Sequence, residues 1–116
     1  MIKYKNKEYY YPLDFGMDLV RGKWKSIILC NINDSPKRFS ELDQILSGIS
    51  QKVLSENLSQ LEEENLIIKN VLPVIPPHVE YSLTDKGSAL LKILHNLEEW
   101  VNEYYPEIKK DKEAGL

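Results

Sequence analysis

Gln51, Lys52, Ser55, Glu56 and Ser59 stand along one flank of a run, GISQKVLSENLSQLEEENLI from Gly48 to Ile67, whose other flank is leucine. Amide, hydroxyl and ammonium groups of this kind are short hydrogen-bonding probes rather than nucleophiles or metal ligands. On the first turns of a helix they suit the reading of base edges in a major groove, which a helix enters by its N-terminal end. Ser50 is a good N-cap for such a helix, and Ile49 before it can pack against Leu54 as a hydrophobic staple. Leu54, Leu58 and Leu61 recur at steps of four and three, so that side must face a core. The same pattern describes any amphipathic surface helix, solvated polar faces being the norm.

Other reactive side chains support less. His95 has Glu98 and Glu99 at the next helical turn, a spacing able to hold a metal ion, yet solvated ion pairing is the commoner use of such neighbours. Cys30 lies in the apolar run Ile27, Ile28, Leu29, Ile32, where a buried structural thiol is expected, because reactive cysteines need an electropositive and accessible setting. Trp24, between Lys23 and Lys25, reads as a core or interface anchor ahead of a base-stacking ring. The chain has no glycine-rich phosphate loop, no nucleophile with a base at a recognisable spacing and no cluster of metal ligands, so neither catalysis nor a cofactor is expected.

The flanks of the Ser50 helix give it a setting. Upstream, RFSELDQIL from Arg38 to Leu46 reads as a second short helix in which Ser40 and Asp43 have capping-box spacing. Leu42, Ile45 and Leu46 form its buried face, and Ser47 with Gly48 supplies the tight break of a helix-turn-helix. Downstream, Ile67 to Val74 is β-branched and aliphatic, and after Pro76 and Pro77 the run HVEYSL alternates Val79, Tyr81 and Leu83 with polar neighbours. This predicts a two-stranded hairpin whose tip, Val74 to His78, is stiffened by proline. A hairpin in that place is a wing, unless it merely covers the core. The fold class expected is mainly α with a small β-hairpin wing: a winged helix-turn-helix with an α-rich dimer interface from its N- and C-terminal helices.

RGKWK (Arg21 to Lys25), PKRFSEL (Pro36 to Leu42), the Gly48 to Ile67 run and PPHVEYSLTDKG (Pro76 to Gly87), in that order, closely resemble the HxlR family of winged helix-turn-helix transcriptional regulators over about residues 10 to 105. The resemblance implies a small dimeric repressor or activator that binds DNA as a symmetric pair. Members that sense oxidants often carry a cysteine just before the proline that starts the first helix. Here Tyr11 precedes Pro12, which excludes a thiol switch at that place.

Composition fits one domain. With 116 residues the chain can bury one modest core, and its apolar and charged fractions are ordinary. The lysine- and tyrosine-rich start lacks a signal peptide's apolar segment, no long apolar run reads as a membrane span, and a lone cysteine forms no internal disulfide. A cytoplasmic protein without a membrane partner is expected. Net charge is −3, which taken whole argues against phosphate contact. Residues 1–60, however, hold nine Lys or Arg against seven Asp or Glu, and residues 61–116 hold six against eleven, so the acid is mostly distal. Lys37, Arg38, Lys52 and Lys69 can then form a basic face on an acidic protein, or serve as scattered solvating groups.

The organisation expected is an arm over residues 1–11, a body over 12–105 and a tail over 106–116. Tyr9, Tyr10 and Tyr11 read as an arm packed across a partner. Pro12 suits the first helical position, and Leu13, Phe15, Met17, Leu19 and Val20 make that helix apolar on nearly all sides. The last helix begins at Thr84 and spaces Leu90, Leu94, Leu97, Val101, Tyr104 and Ile108 as a heptad seam, with Ile93 and Trp100 widening it until Pro106 ends or kinks it. A twofold dimer through Leu13, Phe15, Leu94, Leu97, Trp100, Val101 and Tyr104 would cover this surface and offer two reading helices to a pseudo-palindromic double-stranded operator, with half-sites roughly 34 Å apart. A monomer whose last helix packs on its own body is the rival.

Within that picture, Gln51, Lys52 and Ser55, with Ser50 and Ser59 on the same flank, are expected to read bases, while Lys37, Arg38, Ser40, Lys69 and His78 hold phosphates. His78 reads equally as a turn residue in solvent. A winged-helix module that binds protein without DNA is the alternative function. A small apolar or aromatic effector near Trp24, Tyr11 and Trp100, motivated by the resemblance and by the supply of rings, is a third reading.

Overall fold

The structure, a computed structural model, describes residues 1–33 and 35–108. Ten elements follow in order: β1 (Ile2–Tyr4), β2 (Lys7–Tyr9), α1 (Pro12–Leu19), α2 (Trp24–Asn31), β3 (Lys37–Arg38), α3 (Phe39–Ile45), α4 (Gln51–Glu63), β4 (Ile67–Leu72), β5 (His78–Leu83) and α5 (Asp85–Tyr104). The tail expected over 106–116 falls outside the described residues after Ile108. No helix among the described residues is long and apolar enough to cross a membrane.

The core is aliphatic. Ile28 and Leu29 of α2, Leu42 of α3, Leu54, Leu58 and Leu61 of α4, Leu66, Ile67, and Leu91 of α5 close around one centre with Tyr81 at its edge. Each of the three leucines foreseen on the Ser50 helix is buried, because steps of four and three return to one side of a 3.6-residue turn. That helix ends in a Schellman motif. Asn65 takes a left-handed φ of 58°, its N–H donates to the Glu62 carbonyl at 2.9 Å, and the Leu66 N–H donates to the Leu61 carbonyl at 3.0 Å. The chain is thereby turned straight into β4.

The sheet has three strands, in the order β3-β5-β4 and antiparallel throughout. β5 pairs β4 from Ile67 opposite Leu83 to Leu72 opposite His78, and pairs β3 through Lys37 opposite Tyr81 and Arg38 opposite Glu80. Lys37 and Arg38 therefore lie in a strand, and the helix expected from Arg38 begins at Phe39. Its N-cap is Arg38, whose N–H donates to Glu41 Oε1 at 2.9 Å, so the capping partner is Glu41 and not the Ser40 and Asp43 pair. Position decides this: Glu41 is the third helical residue counted from the true start.

The first residues also differ from expectation. β1 and β2 form a hairpin that turns at Lys5, with φ 56°, and folds back on its own chain. Tyr9 Oη donates to Asp18 Oδ2 at 2.6 Å and Tyr4 Oη to Glu64 Oε2 at 2.8 Å, while both rings meet Phe15 edge-on with centroids 5.2 Å and 4.9 Å away. Tyr9 and Phe15, expected in an arm and in a dimer seam, thus pack against each other within the protein's own chain. Tyr10 and Tyr11 remain exposed. Asp14 accepts from the N–H groups of both, at 2.9 and 2.7 Å, which fixes the start of α1 at Pro12. These bonds with the backbone N–H groups hold its carboxyl below the usual carboxylate range against the opposing, and individually largest, effect of desolvation.

Thr84 caps α5 as expected, its hydroxyl accepting from the Gly87 N–H at 3.0 Å and donating to the Asn65 carbonyl at 2.6 Å. A Cβ on Gly87 would overlap the Leu66 carbonyl, so glycine is what lets this first turn lie against the backbone that leads from α4 into β4. α5 stops at Tyr104, ahead of Pro106.

Candidate nucleic-acid interface

Gln51, Lys52, Ser55 and Ser59 are all exposed on α4, opposite its buried leucines. α3 and α4 are joined through Leu46 to Ser50, where Gly48 at φ 90° takes the left-handed turn open to glycine. Ser50 Oγ accepts from the Val53 N–H at 3.1 Å, so this exposed residue serves first as the cap that aims the helix. Gln51 Nε2 donates to Asp43 Oδ2 of α3 at 3.3 Å. The amide is thereby steered by the first helix of the motif, a link that its neighbours in sequence do not reveal. Lys52 Nζ stands 3.9 Å from Glu56 Oε1, with the lysine side chain 85% exposed. An exposed pair one turn apart is worth about 0.3–0.5 kcal/mol, little enough for the ammonium to change partner.

The remaining cations are spread over two elements. On the sheet, Lys37 of β3 and Lys69 of β4 both register opposite Tyr81, so the two share one row and one face, about 10 Å apart across β5. Lys37 Nζ donates to Ser35 Oγ at 2.9 Å, whereas Lys69 is exposed. Arg38 and Ser40 are exposed at the start of α3, and Arg38 registers opposite Glu80, an acidic neighbour that offsets part of its charge. His78 opens β5 instead of sitting in the tip. Its Nε2 is sealed from solvent without a hydrogen bond, 3.6 Å from Glu80 Oε1, so this nitrogen is not offered to an outside acceptor. A strand position explains this: His78 and Glu80 are two residues apart and share a face.

The apolar surface foreseen at the two ends divides in the fold. Leu94 packs against the protein's own core and Val101 is half-buried, but Leu97, Trp100 and Tyr104 are exposed, as is Ile93. Leu13 and Met17 of α1 are exposed as well, Leu13 by 75%. Trp24 is half-buried against the core with Lys23 Nζ 4.7 Å above its ring. Cys30 is half-buried, and desolvation, followed by the Glu98 carboxylate, pushes its thiol pKa up, away from the reactive thiolate.

Comparison with known proteins agrees with this architecture. The family described as HxlR-like helix-turn-helix matches residues 19–109. An HTH-type transcriptional regulator of Methanothermobacter thermautotrophicus is 40% identical over 97 residues, spanning 84% of this chain and 74% of the relative. The HTH-type transcriptional regulator YybR of Bacillus subtilis is 39% identical over 113 residues, 97% of this chain and 90% of YybR. Among solved structures, the reduced form of the transcriptional regulator YodB from B. subtilis superposes with a TM-score of 0.77 at 31% identity, over 87% of this chain and all of that one. With its capped α4, glycine turn and hairpin wing, this chain is a winged helix-turn-helix protein and belongs to the HxlR-like family of transcriptional regulators.

Proposed function

We propose that the protein binds double-stranded DNA in a sequence-specific manner as a homodimer and regulates transcription from a pseudo-palindromic operator. The observation that carries this is the uncovered polar flank of α4, aimed by the Ser50 cap and lying opposite three buried leucines. In this reading Gln51, Lys52, Ser55 and Ser59 face base edges, with Gln51 pairing to adenine and Lys52 to guanine. Arg38, Ser40, Lys37 and Lys69 lie on backbone phosphates. His78 drops out of the phosphate set because its Nε2 is sealed from solvent beside the Glu80 carboxylate. The exposed row Ile93, Leu97, Trp100 and Tyr104, together with Leu13 and Met17, forms the seam between copies, since large apolar side chains grouped on a helix face seldom stay in water.

A salt titration of purified protein on duplexes selected from random DNA tests the proposal. Affinity should fall steeply and linearly on a log–log plot as salt rises. A protein-binding module would respond weakly. If Gln51→Ala with Lys52→Ala left affinity and sequence preference untouched, the assignment of the reading face would be wrong. The proposed setting is the cytoplasm, where DNA and reduced thiols coexist. An effector between the dimer helices near Trp24, Tyr11 and Trp100 remains part of the proposal as the means by which the spacing of two α4 helices would be changed.

A further inference from the structure

The β4–β5 hairpin ends in a knob that none of these contacts uses. Pro73, Val74, Ile75, Pro76 and Pro77 join the two strands, all are exposed, and Ile75 is 99% exposed. No Lys or Arg occurs between Lys69 and Lys86, so the tip cannot grip phosphates by charge. The core does not need it either, because β4 leaves the interior after Ile67. Proline fixes φ, so three prolines in five residues hold the isoleucine out at little further ordering cost on contact. The stalk is also anchored beside the groups assigned above to phosphates. Lys37 and Lys69 share the row through Tyr81, and Leu72, at the root of the knob, lies three residues beyond Lys69, about 10 Å further along the strand. With that row on a DNA backbone, the knob projects past it into the adjoining groove.

We propose that Ile75, backed by Val74 and the prolines, is a wedge that enters the minor groove flanking each half-site, parts one base step and bends the operator. The proposal rests on the DNA-binding reading. Isoleucine and proline are among the side chains able to act this way, and a projecting point without charge suits separation of a single step better than a broad protein contact. Unstacking is easiest at TA and CA/TG steps, so the wedge also selects sequence at a position where no hydrogen bond is made.

The test uses the full chain on duplexes recovered by selection from random DNA. Energy transfer between end-attached dyes reports the bend, and 2-aminopurine placed in turn along the flanks reports unstacking. The wild type should bend the duplex by about 20° or more and brighten the probe at one step per flank, with TA or CA/TG enriched there. Ile75→Ser should lose both signals and bind more weakly, with the slope of log affinity against log salt unchanged because no phosphate contact is removed. Its thermal midpoint should match the wild type, the side chain being outside the core. A bound but straight duplex, or a bend that survives Ile75→Ser as it would if the tip faced a protein or a second copy, overturns the wedge alone. Failure to bind any duplex specifically overturns the DNA-binding reading and the wedge with it.

Discussion

Asp18 collects more partners than any other side chain of the N-terminal region. Tyr9, Lys7 and Arg21 all converge on it, and the Tyr9 hydrogen bond is the leading cause of its depressed pKa, while the same bond pushes Tyr9 up to about 12. The signs follow from which form is favoured. The ionised Asp18 stabilises hairpin docking above the ordinary carboxylate range, and that share is lost as pH falls through its lowered folded value; the Tyr9 share is present below its ordinary value and lost as pH rises through about 12. Tyr9→Phe should therefore move the Asp18 titration, followed by carboxyl carbon NMR, upward toward the ordinary range. Gly87 is the other residue with a single defined job. Gly87→Ala should destabilise by about 1–3 kcal/mol in urea denaturation at fixed protein concentration, because the added methyl meets backbone and not a yielding side chain. Neither role is legible in the sequence. Asp18 and Tyr9 are nine residues apart in different elements, and Leu66 lies twenty-one positions before Gly87.

At the scale of elements, α4 was readable from its own residues, since cap, staple position and leucine spacing are all local. The start of α3 was not. Arg38 is claimed by β5, through its register with Glu80, and the competition between a helical turn and a ladder partner forty-two residues away is settled by the sheet. The difference bears on contact roles. Gln51→Ala should alter preference at one base pair, at a cost of about 1–3 kcal/mol measured on a panel of single-substituted operators. Arg38→Ala should weaken all sequences alike and reduce the salt slope by about one. Equal losses across the panel for Gln51→Ala would remove it from the base-reading set.

For the whole molecule, the exposed row on α5 and the exposed face of α1 are the surfaces on which the proposed dimer rests. Trp100 is half exposed, with Tyr104 and Tyr105 rings 5.4 and 5.7 Å away, so one aromatic cluster sits at the outer end of the last helix. Trp100→Arg should shift sedimentation from dimer to monomer. Affinity for a two-half-site operator should then drop by about 10²–10⁴-fold, as the second half-site loses its effective concentration, while single half-site binding changes little. Retention of the dimer by this variant would place the interface elsewhere.

By themselves, the residues determined the helix-turn-helix, the cap at Ser50, the glycine turn, the hairpin after α4 and the end of α5 before Pro106. Each of these is written in contacts between near neighbours along the chain, where periodicity and capping chemistry act. Only the tertiary structure decided that Phe15 belongs to the N-terminal hairpin, that Leu94 faces the core while Leu97 and Trp100 do not, that His78 turns inward toward Glu80, and that Asp43 steers Gln51. A heptad spacing names a stripe of apolar residues without saying which neighbour covers each one. That choice is made by packing, when elements distant in sequence compete for the same surface.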